Sequence, residues 1–195
     1  MTNDENVDGA TPLGPDESVG LKFKHITTRN QLDELEQANI VEGLLWLKKV
    51  KREDILTIGF ARDLHKALFG QVWRWAGTFR QTEKNIGIDP LQISMALKNL
   101  LDDVLAWIEF ETYPPMESVL RFHHQLVKIH PFPNGNGRFS RIYVDVVAEK
   151  YFSISPINWG GRDLDKVTET RRRYIDALRA ADGGDLTLLF DLYRE

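Results

Sequence analysis

One twelve-residue stretch constrains this chain more than any other: His130 to Arg141, which reads HPFPNGNGRFSR. Helix-like runs lead into it and out of it, so it is a joint that opens onto the start of a second helix. Glycines at 135 and 137 tolerate positive φ and let backbone approach a ligand closely. The first N–H groups of a helix have no internal partner and attract anions. The Asn136 side chain can donate into the same space. Arg138 and Arg141, three residues apart, can both project to one side of the helix start. His130, entering the turn, is a general base suited to neutral pH. The stretch reads as a cradle for several phosphate oxygens beside a base, and it needs two rigid helices to hold it.

The remainder of the chain supplies those helices. Thr28 and Gln31 have the spacing of a capping box, and a run from Gln31 to about Lys48 follows at helical period. Further helices are predicted over 52–69, 91–110, 116–129, 139–152, 163–181 and 186–193. The 139–152 run is apolar nearly all round, as expected of a buried central helix. Thr78–Ile88 (TFRQTEKNIGI) reads as a short β-hairpin with a polar tip. The expectation is an all-α bundle around a buried central helix, with one hairpin. Trp73 and Trp75 read as core packing. Residues 1–25 are polar and acidic and form an N-terminal arm that buries little. Residues 26–195 make one domain, its core about 52–193.

Composition narrows the function. A net charge of −4 and a pI of about 5.8 argue against direct binding of nucleic acid. The chain has no cysteine, which excludes thiol catalysis and disulfides. No apolar run is long enough to span a bilayer, and the polar start shows no secretory signal, so a cytoplasmic protein is expected. His65, His123 and His124 are not read as a metal site, because adjacent histidines leave a helix on different faces. Arg171–Arg173 read as a solvated face. Lys48, Lys49, Lys51 and Arg52 are too few to indicate nucleic acid.

HPFPNGNGRFSR resembles the signature of the Fic (Fido) family, His-x-Phe-x-(Asp/Glu)-Gly-Asn-Gly-Arg-x-x-Arg. His130, Phe132, Gly135, Asn136, Gly137, Arg138 and Arg141 fall on it. Leu64-His65, Leu68-Phe69, the segment 73–80, and Tyr174, Ala177-Leu178 and Gly184–Leu186 resemble other parts of Fic domains. Within the family the arrangement is most similar to the group called mobile mystery protein B. Its members are typically encoded beside a helix-turn-helix companion.

The resemblance implies a Fic-type fold and a protein adenylyltransferase. His130 would deprotonate a Ser, Thr or Tyr hydroxyl on a target protein, which would attack the α-phosphorus of ATP. The loop amides and Asn136 would hold the phosphates, Arg138 and Arg141 would neutralise their charge, and Phe132 would anchor the loop. The hairpin residues Thr78, Phe79, Arg80, Gln81, Thr82, Glu83, Lys84, Asn85, Ile86, Gly87 and Ile88 would be the flap that pairs with the target's extended chain.

Two positions depart from the pattern. Position 134, usually Asp or Glu and the holder of Mg²⁺, is Asn134, a neutral and therefore weaker metal ligand. Many Fic proteins are held off by a helix with the motif Ser/Thr-x-x-x-Glu-(Gly/Asn), whose glutamate pairs with the second motif arginine. Here residues 38–43 (ANIVEG) keep the Glu-Gly but not the Ser or Thr. The helical wheel turns Glu42 inward, which makes it the candidate inhibitory residue facing Arg141. Gly43 sits mid-helix, where glycine costs about 1 kcal/mol relative to Ala. The alternatives are a phosphotransferase of the Doc type and a catalytically weak, nucleotide-binding regulatory module of a toxin–antitoxin-like pair. Doc-type motifs, however, typically carry Lys in place of Gly137.

Overall fold

The computed structural model describes residues 19–26, 28–50, 54–160 and 168–193. Seven α-helices are described: α1 (Arg29–Lys49), α2 (Ile58–Phe69), α3 (Ile93–Glu109), α4 (Pro115–Ile129), α5 (Asn136–Phe152), α6 (Glu169–Asp182) and α7 (Thr187–Tyr193). A 3-10 turn, Pro90–Gln92, precedes α3. The expected all-α fold is observed. Most of the N-terminal arm and the expected start of the 163–181 helix lie outside the described residues. So does Arg52, where the 52–69 helix was expected to begin.

Local chemistry explains the helix starts. Thr28 and Gln31 form the reciprocal capping box that their spacing predicts. Thr57 Oγ1 accepts from the Phe60 amide at 3.1 Å and caps α2. Helix α2 therefore begins at Ile58, with Ile55 and Leu56 buried ahead of it in irregular chain. Pro115 occupies the first turn of α4, where a missing N–H costs nothing.

Helix α5 is the hub. It packs against α2 on one side and α4 on the other. Phe139, Tyr143, Val144 and Ala148 are fully buried. The Tyr143 ring meets Phe60, Phe122 and Phe139, and its hydroxyl donates to the Ile55 carbonyl at 2.6 Å. Helix α3 covers α4, α6 packs on α7, and α7 touches α4. The last described part of the arm is docked: Leu21 pairs antiparallel with Trp73, the one β-bridge among the described residues.

Helix α1 lies along α2, but its inner face differs from the expected apolar stripe. Ala38 and Glu42 are exposed, and the buried line is Glu36, Asn39, Ile40 and Gly43. Asn39 and Gly43 have specific reasons to face inward. The Asn39 amide donates to the Ala67 carbonyl at 3.0 Å, and its oxygen accepts from the Gln71 amide at 2.9 Å, finishing the C-terminal end of α2. Gly43 is the point of closest approach. A Cβ there would stand 2.9 Å from the Ala67 oxygen and 2.9 Å from Leu68 Cα. The interface combines apolar contacts of Leu35, Ile40 and Trp46 with polar and small residues that a hydrophobic wheel reads as outside.

The expected hairpin at Thr78–Ile88 is not formed as a strand pair. The segment is irregular throughout, with no ladder between its arms. The cause is Arg80, which is 1% exposed. Its guanidinium donates to the Thr82 carbonyl at 2.9 Å and to the Ile88 carbonyl, so a side chain satisfies the acceptors that a strand pair would otherwise use. The segment is a loop folded around one arginine.

Candidate active site

Helix α4 ends at His130, whose backbone is left-handed (φ 52°, ψ 62°), and α5 begins after Gly135, also left-handed (φ 76°). Between them the chain reverses over an aromatic floor. Phe132 is fully buried, stacks on His65 with centroids 3.7 Å apart, and meets Phe139 edge-on at 4.9 Å. Gly135 rests on the Phe69 ring. An added Cβ would come within 2.7 Å of it, so glycine is required here by space as well as by φ.

His65 joins this floor to the loop above. Its Nδ1 accepts from the Gly77 amide at 3.0 Å, which leaves Nε2–H to donate to the Asn134 carbonyl at 3.1 Å. Burial, reinforced by the Arg138 charge, pulls its pKa down to about 3, against the raising effect of the Asn134 bond. It is a neutral strut.

Asn136 closes the loop on itself. Its Oδ1 accepts from the Phe132 amide at 2.9 Å and its Nδ2 donates to the Phe132 carbonyl at 2.7 Å. The residue is 3% exposed. This corrects the expectation that Asn136 offers its side-chain amide to phosphate: both ends of that amide hold the loop. The half-buried Asn134 turns its Oδ1 onto the Gly135 amide at 2.5 Å. One neutral amide oxygen, already engaged, does not make a resident Mg²⁺ site, and the residues present do not fit one. No group of three or more His, Asp or Glu converges as a metal cluster among the described residues.

The loop amides at 136–138 open the N-terminus of α5, whose first turn holds no acidic residue. The two motif arginines flank that opening but face different neighbours. Arg138 bonds Glu36 at 2.8 Å and lies over the Phe69 ring at 4.9 Å. Arg141 reaches the other way, to the Tyr174 hydroxyl on α6. The Tyr174 hydroxyl also lies 2.9 Å from His123 Nε2. Glu42 does not approach Arg141: it is exposed and takes the Gln71 side-chain amide. The carboxylate that does reach a motif arginine is Glu36.

His130 is 6% exposed. Burial above all, with the charges of Arg80 and Lys84, lowers its pKa to about 4, against a raising interaction with the Val127 backbone. Its imidazole is therefore neutral across the physiological range and able to accept a proton. Arg80 Nε donates to the His130 carbonyl at 2.7 Å, and the Arg80 amide donates to the Pro131 carbonyl at 3.0 Å. A cleft of about 540 Å³ opens alongside, between α3 and α4, with Ile88 and Ile129 among its walls and Trp107 and Tyr113 further along.

Sequence reasoning located His130, Phe132 and the loop, and the structure brings these together. It missed Glu36, the strut role of His65 and the burial of Arg80. The one signal available was Trp73, an indole whose N–H needs an acceptor when buried. That acceptor is Glu36 Oε1, at 2.6 Å.

A neutral buried histidine ends one helix, and a closed glycine turn opens the next between two arginines. This defines a helical domain in which a glycine turn opens a helix N-terminus beside a buried histidine. Residues 55–148 match the Fic/DOC family model, so that segment is a Fic domain. It is 28% identical over 144 residues to protein adenylyltransferase fic-1 of Caenorhabditis elegans, covering 70% of this chain and 26% of that protein. It is 25% identical over 177 residues to "Probable protein adenylyltransferase y4lH" of Sinorhizobium fredii, covering 85% of this chain and 84% of that protein. The chain thus spans about a quarter of the length of the nematode relative. The fold matches that of fic-1 residues 134–508 (TM-score 0.67, 24% identity, 89% of this chain and 50% of that chain). It also matches BepC of Bartonella tribocorum with bound AMPPNP (TM-score 0.68, 19% identity, 92% of this chain and 96% of that chain). No helix among the described residues is long and apolar enough to cross a membrane.

Proposed function

We propose that this chain is a protein adenylyltransferase that moves AMP from ATP to a Ser, Thr or Tyr hydroxyl of a target protein. The observation that carries the reading is the pairing of a buried, neutral His130 with the closed 132–136 turn at the start of α5. The phosphates sit at the amides of residues 136–138, and Arg138 and Arg141 close on them from the two sides. The target hydroxyl oxygen bonds to the α-phosphorus, and its proton passes to the His130 imidazole. The bond from the α-phosphorus to the bridging oxygen breaks, and pyrophosphate leaves. The chain contributes position and fixed charge, the main levers in transfers of this kind. Mg²⁺ belongs to the nucleotide as its phosphate complex rather than to the protein.

The target approaches from the 78–88 loop and the adjoining cleft, where Ile88 is shared by both. Arg80 is excluded from the contact surface by its burial. Arg138 is committed to Glu36, so phosphate competes with a carboxylate for one guanidinium, and the nucleotide-free protein is restrained. Membership of the mobile mystery protein B group, a helix-turn-helix companion and a cytoplasmic location belong to the same proposal.

The test is incubation with α-labelled or γ-labelled ATP, Mg²⁺ and a cell lysate. Transfer of α-label that disappears in His130→Ala is the expected result. Transfer of γ-label alone would replace it with the Doc-type phosphotransferase. No transfer of either label, even by Asn134→Asp with Glu36→Gln, would leave a nucleotide-binding regulatory module.

A further inference from the structure

We propose that Arg80 is a positioning residue: its guanidinium ties the 80–88 loop to the carbonyls that end α4 and so fixes the backbone of His130 from the loop side. The role given to His130 rests on the transferase reading above; the geometry does not.

The guanidinium donates in three directions. Nε meets the His130 carbonyl at 2.7 Å, one terminal nitrogen meets the Thr82 carbonyl at 2.9 Å, and the other meets the Ile88 and Ile129 carbonyls. Two of these acceptors close the loop and two belong to the C-terminal end of α4. Those helix carbonyls lack internal partners and favour a cation. The planar fork of an arginine can serve all of them at once; the single ammonium of a lysine cannot. His130 is held left-handed at φ 52°, which residues with a Cβ avoid unless their surroundings impose it. Arg80 is the side chain that imposes it.

Gly87 completes the device. At φ 113°, its missing Cβ would lie 2.5 Å from the Arg80 terminal nitrogen and 2.8 Å from His130 Cβ. The loop thus presses on the guanidinium and on the histidine together. A displacement of the loop, such as a docking target would cause, reaches the base through one side chain. The two cations that bear on the His130 ring, Arg80 and Lys84, both belong to this segment.

Three variants test this: Arg80→Lys, Arg80→Gln and Gly87→Ala, each read by transfer kinetics and by NMR titration of His130. Arg80→Lys keeps the charge and loses the fork. The His130 pKa should stay low while kcat falls about tenfold to a hundredfold, with the ATP KM within about twofold of the parent. Arg80→Gln also removes the charge, so the pKa should climb by about one unit and carry the acid limb of the rate profile with it. Gly87→Ala wedges a methyl against Arg80 and His130 while keeping both side chains, and should cost kcat about tenfold at unchanged ATP KM. It keeps the test open if neither Arg80 variant folds.

Folded variants with parental kcat overturn the proposal. So does a loss of activity that merely tracks the loss of thermal stability across the variants, or a His130 pKa unmoved by Arg80→Gln. If the parent transfers nothing, the transferase reading fails but the titration still decides. His130 Cα and Cβ shifts that stay left-handed in Gly87→Ala and Arg80→Gln would then sink the positioning role.

Discussion

Glu36 and Arg138 form a 2.8 Å ion pair between the first helix and the start of the fifth, and the other Glu36 oxygen is fixed by the Trp73 indole. Replacing Glu36 with Gln keeps an acceptor for Trp73 and removes the charge from Arg138. ATP affinity should tighten on the order of tenfold, since a charge-assisted bond no longer competes for the guanidinium. Unfolding free energy should drop by about 1–3 kcal/mol. Calorimetric titration with ATP and urea melts read both, and an unchanged nucleotide affinity would refute the competition.

Gly43→Ala sets two effects against each other. Alanine is the better helix former by about 1 kcal/mol. The new methyl, however, meets the backbone of α2 at Ala67 and Leu68, which cannot step aside as a flexible side chain would. Overpacking costs about 1–3 kcal/mol, so net destabilisation is expected in a urea melt. A stabilised variant would show that α1 is free to shift.

His65→Leu keeps the bulk and removes both ring nitrogens. The Gly77 amide and the Asn134 carbonyl would each be left buried without this partner, at about 1–3 kcal/mol apiece. A loss of about 2–6 kcal/mol is expected, with weakened nucleotide binding because Asn134 belongs to the loop. Equal loss of stability in His65→Gln would count against a hydrogen-bonding role.

Acid should unfold this protein through its histidines. His65, His123 and His130 titrate near 3, 3 and 4 when folded, below the ordinary 6.5, mainly because burial excludes the charged form. The unfolded chain therefore binds more protons as pH falls below 6.5. The contribution of these groups is fully present above that value and is lost on descent toward the folded values. Three protons correspond to about 4 kcal/mol per pH unit at the steepest part. Urea melts at pH 7, 6 and 5 should show the midpoint falling at an increasing rate. A flat profile to pH 5 would contradict the burial of these rings.

Asn134→Asp should lower the Mg²⁺ concentration needed for half-maximal transfer by about tenfold or more, because a carboxylate is the better ligand for this ion. A magnesium titration of initial rate decides it.

The active loop was legible because its determinants are local. The glycines, the arginine spacing and the histidine lie within twelve residues, and turn chemistry acts at that range. Glu36 and Glu42 show where such reading stops. The wheel chose Glu42 because it falls between Leu35, Ala38 and Trp46, but orientation was decided by Asn39 and Gly43, which meet the C-terminal end of α2. Arg80 was expected to meet a target as one residue of the 78–88 flap. Two of the carbonyls that make its burial tolerable lie at the end of α4, some fifty residues away in sequence, and no local pattern announces them.

The closed turn from Phe132 to Asn136 has a thermodynamic corollary. One side chain binds both the amide and the carbonyl of Phe132, so the turn has its shape without an anion. A pliant loop would lose conformational freedom on gripping a ligand; here that freedom is already gone when the chain folds. Nucleotide binding should consequently leave the backbone order parameters of residues 132–136 nearly unchanged, with the change in motion concentrated in the arginine side chains.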